Sequence, residues 1–366
     1  MKTSKSNLVS EPAAGAPRNT GLLVRLASIG VVLAVAAGLF LYAGGWLTPH
    51  ALTPTVIIDT FQRINGVHSG FRRNHAKGVD ATGFFESNGQ GQALSKALLF
   101  RPGSVPIVAR FALAGGQPYA ADTPGTVRSL AFLFKQADGQ EWRTGMVNIP
   151  VFPVNTPPAF AEFLVVSSPD PATGKSIPGA MNAFLAKHPE TAAALKIIGS
   201  HPFTSGFADS PYYALNAFRF VNAQGESTPV RWYVTPDQTF QASTAAAAGK
   251  NYLFDALIAQ LHAKPLRWHL ILTIGQPGDS TADATSAWLP DRKQIDAGTL
   301  TINTIESEAT SPTRDINFDP LVLPDGISPS DDPLLSARSA AYSQSFTRRE
   351  GEHKAPSAIS TAEVEK

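Results

Sequence analysis

From Leu26 to Trp46 no residue carries a charge, and most are Leu, Val, Ala, Ile or Phe. A run of about 20 apolar residues can cross a bilayer as a single helix. Tyr42 and Trp46 suit the membrane interface at its far end. The competing reading is a cleaved signal peptide, with small-residue sites such as Tyr42-Ala43-Gly44. The long polar region ahead of the run and the length of its apolar core favour an uncleaved anchor over residues 21–46. Lys2, Lys5, Arg18 and Arg25 precede it and few cations follow at once. Positively charged flanks stay in the cytoplasm. The expected arrangement is therefore an inner-membrane anchor with the main domain facing the periplasm or exterior. Residues 1–20 are polar and small and are expected to be disordered.

The remainder, 47–349, is long enough for one large domain. The formal net charge is +1, with no basic block, which argues against nucleic acid as a partner. Absence of cysteine excludes a disulfide framework, a thiolate metal site and a Cys nucleophile. With 29 Pro and 29 Gly the chain is rich in turns. Alternating segments predict strands at Pro106–Ala114, Arg128–Lys135, Met146–Val154 and Leu266–Ile274, and a hairpin over 217–234. Helical spacing marks 55–68, 157–166, 178–198, 252–262 and 334–345. After Leu300 the chain reads as irregular, and the tail 350–366 as charged and disordered. Strands with turn-rich joins point to an antiparallel sheet or barrel with helices grouped outside it.

Two short stretches carry the chemistry. Arg72-Arg73-Asn74-His75-Ala76-Lys77-Gly78 puts a histidine three residues after an arginine. Far downstream, Arg338 and Tyr342 stand at i and i+4 and share one face of a helix. Either alone reads as surface or packing. Together, in this order, they resemble the haem catalases, which set an Arg-x-x-x-Tyr helix beneath the haem and an Arg-x-x-His-Ala-x-Gly segment above it. Further segments are similar to the same family: Arg110-Phe111, Asp122 followed by Arg128 and Phe132 to Lys135, Asn148 to Phe152, and Phe318-Asp319-Pro320 with Pro324 to Ile327.

The resemblance implies an α+β catalase-like antiparallel β-barrel with surrounding helices, and haem b (iron) as cofactor. Tyr342 would ligate the metal as a phenolate, stabilised by Arg338. His75 would move the peroxide proton. Arg72, Arg110 and Arg349 match the positions that hold the haem propionates, for which Arg is well suited. Phe160 would lie on the distal face, and Asn148 is the candidate distal amide, although one alignment puts Val147 there instead. Other departures are Ala112 for a serine beside the distal His, Thr126 for an acid in the channel, Asn74 beside His75, and Phe346 for a proximal His. The helical C-terminal domain that can hold NADPH in large catalases is not expected. These features resemble the short catalase-related peroxidases.

The implied function is a haem-dependent peroxidase with an antioxidant role. It would reduce hydrogen peroxide or organic hydroperoxides through a ferryl intermediate, using an unknown electron donor. The alternatives are a small catalase that dismutates hydrogen peroxide, a non-catalytic haem-binding protein, and a hydroperoxide-rearranging lyase. Asp122 and Arg128 read as stabilising loops and strands. The other histidines have no metal-ligand spacing, and a monomer or dimer is expected.

Overall fold

A computed structural model describes residues 20–43, 52–170, 173–243 and 249–365. Most of the expected disordered arm, together with Trp46, lies outside the described residues. The chain divides into two compact units, Met1–Thr53 and Pro54–Lys366. The first holds helix α1, Thr20–Ala43. At ~1.5 Å per residue it is about 36 Å long, more than the ~30 Å hydrocarbon core of a bilayer. Its segment Val24–Tyr42 is long and apolar enough to cross a membrane, a property that signal sequences share. Val24, Ile29, Leu33 and Phe40 are all exposed.

The second unit is a closed barrel. Its strands are β1 Gly78–Ser87, β2 Gly103–Leu113, β3 Arg128–Lys135, β4 Glu141–Val147 and β5 Tyr212–Tyr213, then β6 Phe218–Val221, β7 Ser227–Pro236, β8 Leu266–Ile274, β9 Gln294–Glu306 and β10 Ile327–Pro329. Every pairing is antiparallel. Eight strands close the ring in the order β1-β2-β3-β4-β5-β7-β8-β9, and β6 with β10 extends from β7. The helices lie outside: α2 Pro54–Asn65, α3 Pro157–Val166, α4 Ala180–Lys187, α5 Pro189–Gly199, α6 Tyr252–Ala263, α7 Pro333–Glu350 and α8 Thr361–Val364.

Period-two alternation sorts each strand between two environments. On β3, Leu130, Phe132 and Phe134 join the barrel core, while Ala131 and Leu133 belong to a separate cluster with Val108 and Phe318. Inside, Trp142 stacks on Phe134 at 5.0 Å and meets Trp232 edge-on at 4.9 Å. Burying one such side chain contributes about 1.5–3 kcal/mol. The outer face of β2, β3 and β4 forms the floor of the functional cavity.

Several elements differ from expectation. The helix expected over 178–198 is two, broken where Pro189 starts α5. The strand expected at Met146–Val154 begins earlier and stops at Val147, short of Pro150 and Pro153. The region after Leu300 continues a thirteen-residue strand, β9, paired on both sides by β1 and β8. The tail expected to be loose is packed down. Ile359 and Val364 are buried in the core, the Ser307 hydroxyl donates to the Ile359 carbonyl at 2.6 Å, and Ser360 with Glu363 forms a capping box.

Candidate functional site

The site is built on two neighbouring cross-strand rows of the barrel's outer face. In the first, Asp80, Arg110, Ala131 and Gly145 stand directly opposite one another on β1 to β4. In the second, two residues along each strand, stand Gly78, Ala112, Ser129 and Val147. At 3.2–3.4 Å per residue the rows are ~6.6 Å apart.

Helix α7 lies over the first row. Asp332 is its N-cap, accepting from the Leu334 N–H at 2.9 Å, and Pro333 opens it. Tyr342 packs on the outer cluster that contains Ala131. A Cβ at Gly145 would come within 3.2 Å of the Tyr342 hydroxyl and 3.9 Å of Arg338 Nη2. Glycine is what lets phenol and strand approach so closely. Arg338 donates to the Gly145 carbonyl at 3.3 Å and to the Asn216 side-chain oxygen. Asn216 in turn donates to Asp332 Oδ2 at 2.7 Å. The carboxylate that caps α7 thus also anchors the arginine one turn ahead of Tyr342.

Beyond the second row, the end of β2 cradles the loop that carries His75. The Leu113 N–H donates to the Lys77 carbonyl at 3.1 Å and the Ala76 N–H to Gly115 at 3.0 Å. Asn74 Oδ1 accepts from the N–H of His75 at 3.0 Å and of Gly115 at 2.8 Å. Arg110 Nη1 donates to the His75 carbonyl at 2.9 Å. These bonds hold His75 in the left-handed region, φ 55°, a conformation that costs energy and persists only when over-determined by its surroundings. Burial, then the charges of Arg110, Arg338 and Arg72, push its pKa down to about 3. The ring is neutral, and among the described residues its buried Nδ1 makes no well-formed hydrogen bond, although the Leu113 backbone lies near enough to favour the protonated ring slightly.

One cavity joins the two sides. It encloses about 1380 Å³, its open mouth included. Arg72, His75, Arg110, Phe160, Arg338, Tyr342 and Arg349 all line it. Asn148 does not: its Oδ1 accepts from the Arg128 N–H at 2.8 Å, and Val147 faces the cavity instead. Phe160 packs against Phe61 at 6.0 Å and Phe152 at 5.6 Å, so α2 and α3 close the apolar wall.

At one edge, three guanidinium groups converge. Glu308 binds Arg72 at 2.7 Å and Arg110 at 2.9 and 3.3 Å. Burial works to raise the Glu308 pKa, but Arg110 and Arg72 outweigh it and hold the group below its usual range. Among the described residues Arg349 donates to the Ile316 carbonyl alone, at 3.4 Å, and its buried Nε and Nη1 have no partner. Burial, with Arg72 and Arg110 nearby, pushes its pKa down to about 9. Asp80, also in this row, makes no well-formed hydrogen bond among the described residues, and burial with Glu308 raises its pKa to about 7 against the opposing pull of Arg110, Thr313 and Arg72. Glu308, Asp80, Asn216 and Asp332 are site residues that sequence reasoning missed. Gly145 falls inside β4 only because that strand begins at Glu141, ahead of the one expected from Met146; read as a glycine within a strand, it would have signalled close approach.

The family profile named Catalase matches residues 43–359. This chain belongs to the catalase family. It is 36% identical over 331 residues to a catalase-related peroxidase from Synechococcus elongatus, covering 90% of this chain and 96% of that protein. A catalase-related peroxidase from Mycolicibacterium paratuberculosis is 31% identical over 304 residues, covering 82% and 96%. Rat catalase is 26% identical over 294 residues, and the chain spans only 56% of its length. Among solved structures, a fungal catalase superposes with TM-score 0.71 at 20% identity, covering 81% of this chain and 62% of its own. Catalase A from Saccharomyces cerevisiae gives 0.69 at 20% identity, covering 81% and 64%. These last two show the fold.

Catalase-family proteins depend on haem, and the cavity fits one. A buried cation without a partner is costly unless an anion joins it, and the unpaired Nε and Nη1 of Arg349 ask for a carboxylate such as a propionate. With no side chain at Gly145, nothing from that position crowds the Tyr342 hydroxyl, where a Cβ would come within 3.2 Å.

Proposed function

We propose that this catalase-family chain is a haem peroxidase of the catalase-related type, reducing hydrogen peroxide or an organic hydroperoxide with electrons from an external donor. The observation that carries the reading is a single cavity with the Tyr342 phenol over one strand row and a neutral His75 imidazole beyond the next. Haem b is the cofactor that the family resemblance implies, and a chain without cysteine cannot form the thioether links of a c-type haem. When bound, the haem supplies the redox chemistry. Tyr342 would hold its iron. Arg338, fixed by Asn216 and Asp332, keeps a positive charge beside the phenol. Arg72, Arg110 and Arg349 would hold the propionates, and Phe160 would pack over the distal side. His75 accepts a proton from the peroxide and returns it to the departing oxygen, work that typically gives about 10²–10⁴-fold in rate.

The placement of Asn148 favours a peroxidase over a dismutating catalase. The candidate distal amide is committed to the Arg128 backbone, and apolar Val147 stands at the cavity. The full chain in detergent should show a haem absorption band, oxidise an added donor on exposure to peroxide, and release little oxygen without one. Fast oxygen release with no donor would make it a catalase, and a His75→Ala protein as active as wild type would make it a haem-binding protein. We also propose that Val24–Tyr42 is an uncleaved anchor, with the barrel on the periplasmic or outer side. Recovery of the intact N-terminus in carbonate-washed membranes tests the anchor, and protease access from outside tests the side.

A further inference from the structure

We infer that Ser129 is a peroxide-binding residue, its hydroxyl donating a hydrogen bond to the substrate that His75 deprotonates. The inference rests on the peroxidase reading above and deepens it. In the outward row Gly78–Ala112–Ser129–Val147, Ser129 bears the one polar side chain. It lines the cavity and is 8% exposed. Its hydroxyl makes no hydrogen bond among the described residues, whereas most nearly buried polar groups are satisfied. A hydroxyl that faces the cavity without a protein partner is free to bind what enters it.

Its position sets which side it serves. Directly opposed residues on one face of an antiparallel pair have Cβ atoms about 4.5–5.5 Å apart, so Ser129 sits beside Ala112. From Ala112 the strand runs on into 113–115, the segment that cradles His75. The Tyr342 hydroxyl lies instead over Gly145, one row away. Ser129 is therefore on the His75 side of the cavity.

The chemistry needs such a group. A neutral imidazole offers one acceptor and one donor nitrogen. When His75 uses its acceptor to take the peroxide proton, the partner oxygen gains negative charge and calls for a separate donor. Asn74 is committed to the His75 and Gly115 N–H groups, and Asn148 is outside the cavity. Ala112 and Val147, flanking Ser129 on either strand, have nothing to donate. The serine hydroxyl meets that need without a charge, and as donor it moves no proton of its own.

The test uses full-length holoenzyme carrying Ser129→Ala or Ser129→Thr. Fluoride, a small anion that binds ferric haem and accepts hydrogen bonds, serves as a probe by absorbance titration, alongside kcat and KM for hydrogen peroxide. A net hydrogen bond corresponds to about a 2- to 10-fold change in an equilibrium constant. Ser129→Ala should weaken fluoride and lower kcat/KM by that factor or more, with haem content and the donor-oxidation step unchanged. Ser129→Thr should restore both. Wild-type fluoride affinity and kcat/KM in Ser129→Ala overturn the inference, and so does loss of haem from that variant, which would make Ser129 part of the cofactor's support. A wild-type protein without a haem band sinks the peroxidase reading itself, a distinct outcome.

Discussion

The base proposed at His75 can work only while its ring is neutral, and burial with three nearby arginines keeps it so down to about pH 3. A free histidine titrates near 6.5, so between pH 6.5 and 3 the unfolded chain binds a proton that the folded chain refuses. Stability from this group therefore rises with pH across that window and is lost as pH falls through it. The reaction rate should consequently show no acid limb near pH 6.5. Stopped-flow peroxide consumption from pH 8 to 4.5 should stay within about 2-fold, and a clear half-drop near 6.5 would mean His75 titrates normally. Gly145 makes a second test at this scale. Its missing Cβ lies 3.2 Å from the Tyr342 hydroxyl, closer than a carbon is normally tolerated. Gly145→Val should fold, since the site is on the outer face, yet bind haem poorly and with a shifted absorption band. An unchanged spectrum at full haem content would refute the contact. At this scale the sequence was legible where a residue's meaning is local. Arg338 and Tyr342 declare themselves by helical spacing, and the arginines Arg72, Arg110 and Arg349 by family resemblance. Glu308 and Asn216 do not, because each sits in an irregular segment and acquires its role only through partners at 72, 110 and 338.

Helix α7 shows how an element carries the site. Its cap, Asp332, accepts from Leu334 through one oxygen and from Asn216 through the other. Replacing an N-cap acid by alanine costs about 0.5–2 kcal/mol, and here it also frees Asn216 and hence Arg338. Asp332→Ala should lower stability by that amount and reduce haem retention, measured as transfer to an acceptor apoprotein. Asp332→Asn keeps a capping oxygen and should recover most of the stability. Equal haem loss in both variants and wild type would separate the cap from the site. Elements were legible where side chains alternate against a buried face, as in β3 with Leu130, Phe132 and Phe134 inward. Less legible is β9, where Leu300 and Ile302 alternate into the core between Thr299, Thr301 and Asn303; its threonine-rich outward side blurs the pattern, and pairing with β1 and β8 on both sides completes it. The tail is fixed by Ile359, Ser360 and Val364, too few residues to form a period.

At the scale of the whole molecule, the barrel wall and α7 bring three guanidinium groups to one buried edge, and Glu308 is the carboxylate bonded to two of them. Asp80 supplies only part of a negative charge there near neutral pH, because burial and Glu308 raise its pKa to about 7. Positive charge is in excess, and Arg349 has two buried nitrogens unpaired. A like-charge cluster of this kind destabilises the protein until anions are supplied, and each charge-assisted bond is about twice as strong as a neutral one. The cofactor's two carboxylates should therefore contribute to stability independently of its iron. A ligand that binds only the folded state stabilises by about 2.7 kcal/mol at 100 times its Kd. Thermal denaturation of the haem-depleted protein should show a clear rise in melting temperature with metal-free protoporphyrin. The dimethyl ester, which has the same ring and no charge, should give much less. Equal stabilisation by acid and ester would assign the binding to the apolar wall of Phe61, Phe152 and Phe160, and leave the arginine cluster without its role.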